Sequence, residues 1–213
     1  MKKYSPTKYS LDLVREISQT MEGKTFHHHY HILWDIRNSM EKEKVNYVEI
    51  GTHCGGSASL MMKSPKTTNV FGIDDASSAD SNIVYNNIEK YKLKHNTFQY
   101  LIGDSRDKKI IDLVSKIENG VDILFIDGGH SYQNVIDDFL NYKDFVNTGG
   151  YVIFDDYHDV EFCPQVMHGV QFILEELLFD EYDILGYHKN VLGAYPEELK
   201  NNNEFIIRKK LNR

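Results

Sequence analysis

The hydrophobic rhythm of the chain changes near residue 45. Before it, apolar positions recur at helical spacing. Leu11, Val14 and Ile17 share a face with Ser18 in "SLDLVREISQTM", and Tyr30, Leu33, Trp34 and Arg37 do so in "FHHHYHILWDIRNSM". After it, short apolar runs alternate with amphipathic stretches. The runs are "VNYVEIG" (45–51), "NVFGIDD" (69–75), "TFQYLIGD" (97–104), "VDILFIDGG" (121–129) and "GYVIFDD" (150–156). Helical patterns separate them over 57–62, 81–93, 107–118 and 132–145, and another covers 166–179. Strands alternating with helices predict an α/β fold whose sheet is mostly parallel, with right-handed crossovers and helices on both faces. "YDILGYH" and "EFIIRKK", joined through a "KNNNE" turn, predict a closing antiparallel pair and bring the sheet to seven strands. No repeat, low-complexity linker or composition break divides the chain. Residues 1–213 read as one domain, with helices over 1–44 leading a core over 45–213. Its size also suits one domain of a longer polypeptide.

Composition narrows the function. The 213 residues are 41% hydrophobic and 26% charged, as in a globular protein that buries a full core. A net charge of −8 argues against a nucleic-acid partner, which needs a basic face. No apolar run approaches the ~18 residues of a membrane span, and no apolar segment backs the lysines of "MKKYSPTKYS" as a secretory signal requires. The two cysteines, Cys54 and Cys163, make neither a disulfide framework nor a zinc-finger spacing. A cytoplasmic protein is the expectation.

Ligands of an open parallel sheet sit beyond the carboxyl ends of its strands. Those ends read Glu49 to Gly51, Asp74–Asp75, Gly103–Asp104, Asp127 to His130 and Asp155–Asp156, so every one carries acid. Such a face suits a cation or a hydroxyl-rich ligand better than a bare pyrophosphate. "VEIGTHCGGSAS" follows the first strand, and Gly51, Gly55 and Gly56 allow a tight turn and a close approach to a ligand. The spacing is neither G-x-G-x-x-G nor G-K-[ST], which speaks against NAD and a triphosphate. Asp74 is placed to accept bonds from ribose hydroxyls, and Asp104 to meet an adenine edge.

Asp127, Asp155 and Asp156 converge if the fourth and fifth strands are neighbours. Carboxylates so close repel unless a cation neutralises them. A hard divalent ion fits, magnesium first, with manganese or calcium as alternatives. His130, across a Gly-Gly step from Asp127, would reach the same crevice as a general base for an acceptor hydroxyl.

In order and spacing, "VEIGTHCGGS", "GIDD", "LIGDS" and "FIDGGH" resemble the class I S-adenosylmethionine-dependent methyltransferases, over residues 45 to 160. The resemblance implies a Rossmann-like fold. It also implies a cofactor site drawn from Glu49, Gly51, Thr52, Gly55, Ser57, Asp74, Asp104, Ser105 and Asp127. The D-x-x-H of Asp127 and His130, with the later acid pair Asp155–Asp156, is similar to the metal-dependent O-methyltransferases of macrolide deoxysugars and rhamnosyl groups. That likeness implies a sugar hydroxyl as acceptor, best a 6-deoxyhexose such as rhamnose in a glycan or glycosylated metabolite, with the N-terminal helices on the acceptor side. Catechol-type enzymes have Asp-Asn where this chain has Asp155–Asp156 and lack the histidine; they are the first competitor. An NAD-dependent oxidoreductase and a non-catalytic module are more distant ones, and a homo-oligomer is compatible with any of them.

Tyr132, Tyr157 and His158 follow the acidic strand ends and are candidate acceptor contacts. Of His27, His28, His29 and His31 only His27 and His31 share a helix face, so a surface or packing role is expected. Cys54 reads as a small filler, His168 and His188 as structural, and "PEELKNNNE" as a solvated turn.

Overall fold

A computed structural model describes residues 8–23, 30–177, 179–187 and 204–211. Seven strands form one sheet: β1 Val45–Ile50, β2 Thr68–Asp74, β3 Thr97–Ile102, β4 Val121–Ile126, β5 Val146–Phe154, β6 Tyr182–Tyr187 and β7 Phe205–Lys209, in the order β3-β2-β1-β4-β5-β7-β6. Strands β1 to β5 pair in parallel, and β7 pairs antiparallel with both β5 and β6. The seven-stranded α/β fold and the closing antiparallel pair are as expected. His27, His28, His29, His188 and most of "PEELKNNNE" lie outside the described residues.

The helices are α1 Lys8–Thr20, α2 His31–Ser39, α3 Gly56–Met62, α4 Ser81–Tyr91, α5 Lys108–Val114, α6 Tyr132–Tyr142 and α7 Pro164–Phe172. Period-two alternation along the strands sorts the core into two halves. Tyr47, Ile123 and Phe125 point to one face, where they meet Leu13, Ile17, Leu33, Leu60 and Val84 from α1 to α4. Val48, Leu124 and Val152 point to the other, against Ile110, Val135, Phe139 and Val170 from α5 to α7. The central strands β1 and β4 are buried throughout, so their polar residues Asn46, Glu49 and Asp122 are buried as well.

Several boundaries differ from expectation. β5 begins at Val146 rather than 150, because Gly149 (φ +78°) bulges the strand: Val121 still pairs with Val146 while Ile123 pairs with Tyr151. β4 stops at Ile126, leaving Gly128 and Gly129 in the turn. The helix expected over 166–179 starts at Pro164, a favourable first helical position, and gives way to a π turn over Ile173–Leu177. No helix among the described residues is long and apolar enough to cross a membrane.

The chain runs outward from β1 through β2 to β3, then returns to β4 on the other side of β1. That reversal opens a crevice at the carboxyl ends of β1 and β4.

Candidate active site

A cavity of about 410 Å³ fills the crevice. Its floor is held by ladder bonds that continue past the strands: Gly51 N–H donates to Ile73 O (2.8 Å), Asp127 N–H to Ile50 O (2.9 Å) and Asp155 N–H to Ile126 O (3.0 Å). Gly51 sits at φ +92°, and a Cβ there would lie 1.8 Å from the Asp127 carbonyl oxygen, so only glycine lets the two strand ends touch.

At the ends of β2 and β3 the acids are satisfied. Asp74 accepts from the backbone N–H groups of His53 (2.8 Å) and Ala76 (2.7 Å), which fixes the glycine loop over β2. Asp104 is clasped by Arg106, whose Nε and Nη2 donate to its two oxygens at 2.9 and 2.6 Å; these bonds pull its carboxyl down to about 2. Arg106 Nη1 also reaches Asn134 Oδ1 (3.1 Å), bridging the β3 loop to α6. Ser105 Oγ donates to Asp138 Oδ1 (2.6 Å), and burial raises Asp138 to about 6. Gly51, Thr52, Ser57, Asp74, Asp104, Ser105 and Asp127 all line the cavity.

Glu49 and Gly55 do not line it. Glu49 lies fully buried beneath the loop, accepting from Ser57 Oγ (2.7 Å) and Tyr47 Oη (2.9 Å) on one oxygen. Burial lifts its carboxyl to about 7, so near neutrality it is poised between charged and neutral. Its position supports the loop from below rather than meeting a ligand in the cavity. Gly55 (φ +79°) leads into α3 in a left-handed turn and faces Val84 instead.

The β4–β5 side differs. Because β4 and β5 are neighbours, Asp127, Asp155 and Asp156 converge, with one oxygen of each within 4.8 Å of the others. Burial, then the charges of Asp155 and Asp156, push the Asp127 carboxyl well above its ordinary range. Asp156 adopts φ +54°, a left-handed conformation that turns it back toward the crevice. His130 Nε2 stands 3.3 Å from Asp156 Oδ2 and 3.9 Å from Asp127 Oδ1, and the ring is half exposed at the rim. Its place follows from the chain: Ser131 caps α6 by accepting from Asn134 N–H (3.2 Å), so His130 is the residue just before the cap. An all-oxygen trio in mutual repulsion fits a hard divalent cation.

Five residues that carry geometry here were not singled out for the site from sequence. Tyr30, at the start of α2, donates its hydroxyl to Asp127 Oδ2 (3.0 Å) and lines the cavity. Arg106 and Asn134 close one rim. Asp138 had a signal: it is an acid on the buried face of α6, beside Val135, Ile136, Phe139 and Tyr142. Cys163, at the mouth of α7, lies 3.2 Å from His130 Nδ1, and burial with Asp156 nearby pushes its thiol up to about 12.

The candidate acceptor contacts Tyr132, Tyr157 and His158 do not line the cavity. Tyr157 is 5% exposed and packs its ring on Phe205 (4.7 Å between centroids) in the core, with His158 against it. Tyr132 lies outside the cavity wall, edge-on to Phe172. Of the histidines set aside as packing, His31 is indeed fully buried, and Cys54 is buried as a filler would be.

A methyltransferase-domain family model matches residues 48–157. The chain belongs to that family. An uncharacterized protein of Acanthamoeba polyphaga mimivirus is 42% identical over 205 residues, covering 90% of this chain and 91% of its own. Among solved structures, an O-methyltransferase of Bacillus cereus in complex with S-adenosylhomocysteine is 17% identical with a TM-score of 0.62, covering 96% of this chain and 92% of that one. The O-methyltransferase TomG of Streptomyces achromogenes, in complex with S-adenosylmethionine, is 13% identical with a TM-score of 0.63, covering 96% and 88%. The chain thus shares its fold with solved methyltransferases.

Proposed function

We propose that this methyltransferase moves a methyl group from S-adenosylmethionine to a sugar hydroxyl, with a divalent ion held by Asp127, Asp155 and Asp156. The acceptor class follows from the D-x-x-H and acid-pair pattern, and a 6-deoxyhexose such as rhamnose is the best candidate. The observation that carries the reading is His130 Nε2 standing 3.3 Å from Asp156 and 3.9 Å from Asp127, an imidazole over a carboxylate trio.

The cofactor lies along the glycine loop. Asp74, rigid through its two backbone bonds, offers its remaining lone pairs to the ribose hydroxyls. Ser105 and Asp138 line the adenine end, with Asp104 held back by Arg106. The sulfonium end faces Asp127. A bound magnesium ion would neutralise the three carboxylates and make an acceptor hydroxyl more acidic. His130 takes the hydroxyl proton at Nε2 as the oxygen attacks the methyl carbon in line with the breaking carbon–sulfur bond. Tyr30, donating to the outer oxygen of Asp127, fixes that carboxylate and forms the acceptor side contributed by the N-terminal segment.

The test is methyl transfer from labelled S-adenosylmethionine to a methyl rhamnoside and to a catechol, after metal stripping and after magnesium is restored. Magnesium-dependent labelling of the rhamnoside is the expected result. Labelling of the catechol alone would move the enzyme to the phenolic class, and labelling of neither, with S-adenosylhomocysteine still binding, would remove both acceptors.

A further inference from the structure

Methyl transfer gives Cys163 no task, yet its placement is specific. The sulfur lies 3.2 Å from His130 Nδ1 and 3.7 Å from Asp156 Oδ2, and His130 Nε2 reaches that same oxygen at 3.3 Å. One ligand atom from each of the three residues falls within 4.8 Å of the other two. Sulfur, imidazole nitrogen and carboxylate oxygen from three side chains, with His130 open to solvent, form the donor set of a zinc site that keeps one position free. The neighbouring trio offers oxygen only, the preference of magnesium. Asp156 belongs to both sets, so the two ions compete for it.

We infer that Cys163, His130 and Asp156 form a second, thiophilic metal site, and that zinc filling it shuts off methyl transfer. The site stands on its own geometry; its inhibitory consequence rests on the methyltransferase reading. Zinc entry displaces the Cys163 thiol proton to solvent and ties up an imidazole nitrogen, which then has no lone pair for an acceptor proton. It also draws Asp156 away from the carboxylate trio. A hard ion leaves Cys163 untouched. The pair of sites thus sorts metals by softness through one shared carboxylate.

Cobalt(II), a spectroscopic stand-in for zinc, tests this on the metal-stripped full chain. The unaltered protein should show a near-ultraviolet thiolate-to-cobalt charge-transfer band that zinc abolishes. Cys163→Ser should lose the band and bind zinc more than ~10-fold more weakly, with unchanged calorimetric heats for magnesium and S-adenosylhomocysteine. Asp155→Asn should keep the band. Absence of the band in the unaltered protein, or a Cys163→Ser protein with wild-type zinc affinity, overturns the site. Because the first readout uses the unaltered chain, misfolding of a variant cannot imitate either result. If the band appears while S-adenosylhomocysteine gives no heat, the thiol site stands and the methyltransferase reading falls. S-adenosylhomocysteine heat without a band means the reverse.

Discussion

The carboxylates ending β2 and β3 and those ending β4 and β5 occupy equivalent places in one sheet under opposite conditions. Asp74 and Asp104 are each matched by donors, two backbone N–H groups for one and a guanidinium for the other. Asp127, Asp155 and Asp156 face one another, and burial with mutual repulsion lifts Asp127. Donors that already hold an acid charged make it a rigid acceptor for hydroxyl groups. Acids that crowd one another make a site for a cation. In the function proposed above, the same residue type at the same topological position serves as a sugar-ring clamp on one side and an ion cradle on the other, decided by what the adjoining loop supplies.

The sharpest way to break this division is at His130, which belongs to the ion side alone. His130→Ala should lower kcat by ~10²–10⁴-fold, the range of a lost general base, while S-adenosylhomocysteine affinity changes less than about twofold by calorimetry. A comparable loss of cofactor affinity would mean that the histidine serves the clamp side instead.

Glu49 is the exception on the clamp side, an acid held by burial rather than by charge. With its carboxyl at about 7 in the fold against an ordinary 4.5, the folded state keeps a proton that the unfolded chain has given up. The stability linked to that proton is complete below about pH 4.5 and drains away as pH rises through 7, a loss on the order of 3 kcal/mol. Urea unfolding at pH 5 and pH 8 should show this decline in the wild type and a flatter profile in Glu49→Gln. Equal slopes would show that Glu49 is not the group responsible.

Much of this layout could be read from residue order, and the unread part has a common cause. Strand ends are legible because a buried run must stop where acid and glycine begin, as at Ile126–Asp127 and Phe154–Asp155. Convergence of the acid trio followed from strand adjacency alone. Tyr30 was not legible as a cavity residue: its hydroxyl meets Asp127 across 97 positions of chain, and nothing local to "HHHY" specifies that contact. Tyr157 is the opposite case. Its position after Asp156 suggested a pocket wall, but the left-handed backbone at Asp156 turns the chain so that the next ring enters the core against Phe205. Asp138 stood in plain sight as an acid on an apolar helix face, a pattern that helix periodicity exposes once polar residues on buried faces are sought as carefully as apolar ones.

The clamp itself can be sharpened at Asp74 and Asp138. Asp74→Ala removes the acceptor for both loop N–H groups and for the ribose, and should weaken S-adenosylhomocysteine binding ~10–100-fold. Asp138→Asn keeps the bond from Ser105 and should cost less, about threefold, if its second oxygen faces the adenine amino group. An Asp138→Asn protein weaker than Asp74→Ala would shift the main cofactor contact from the ribose to the base.

The smallest effect probes the cradle without any ligand. Asp127→Asn keeps an oxygen for the Tyr30 hydroxyl and removes one of three mutually repelling charges. In metal-stripped protein the variant should therefore melt about 2–4 °C higher than the wild type, even though it has lost an ion ligand. Magnesium should raise the melting temperature of the wild type and leave that of the variant nearly unchanged, so the order of the two reverses when the ion is added. A variant that melts lower without metal would show that the three carboxylates already share a proton or an internal donor strong enough to offset their repulsion. In that case the contrast between the two halves of the sheet would be one of geometry and not of charge.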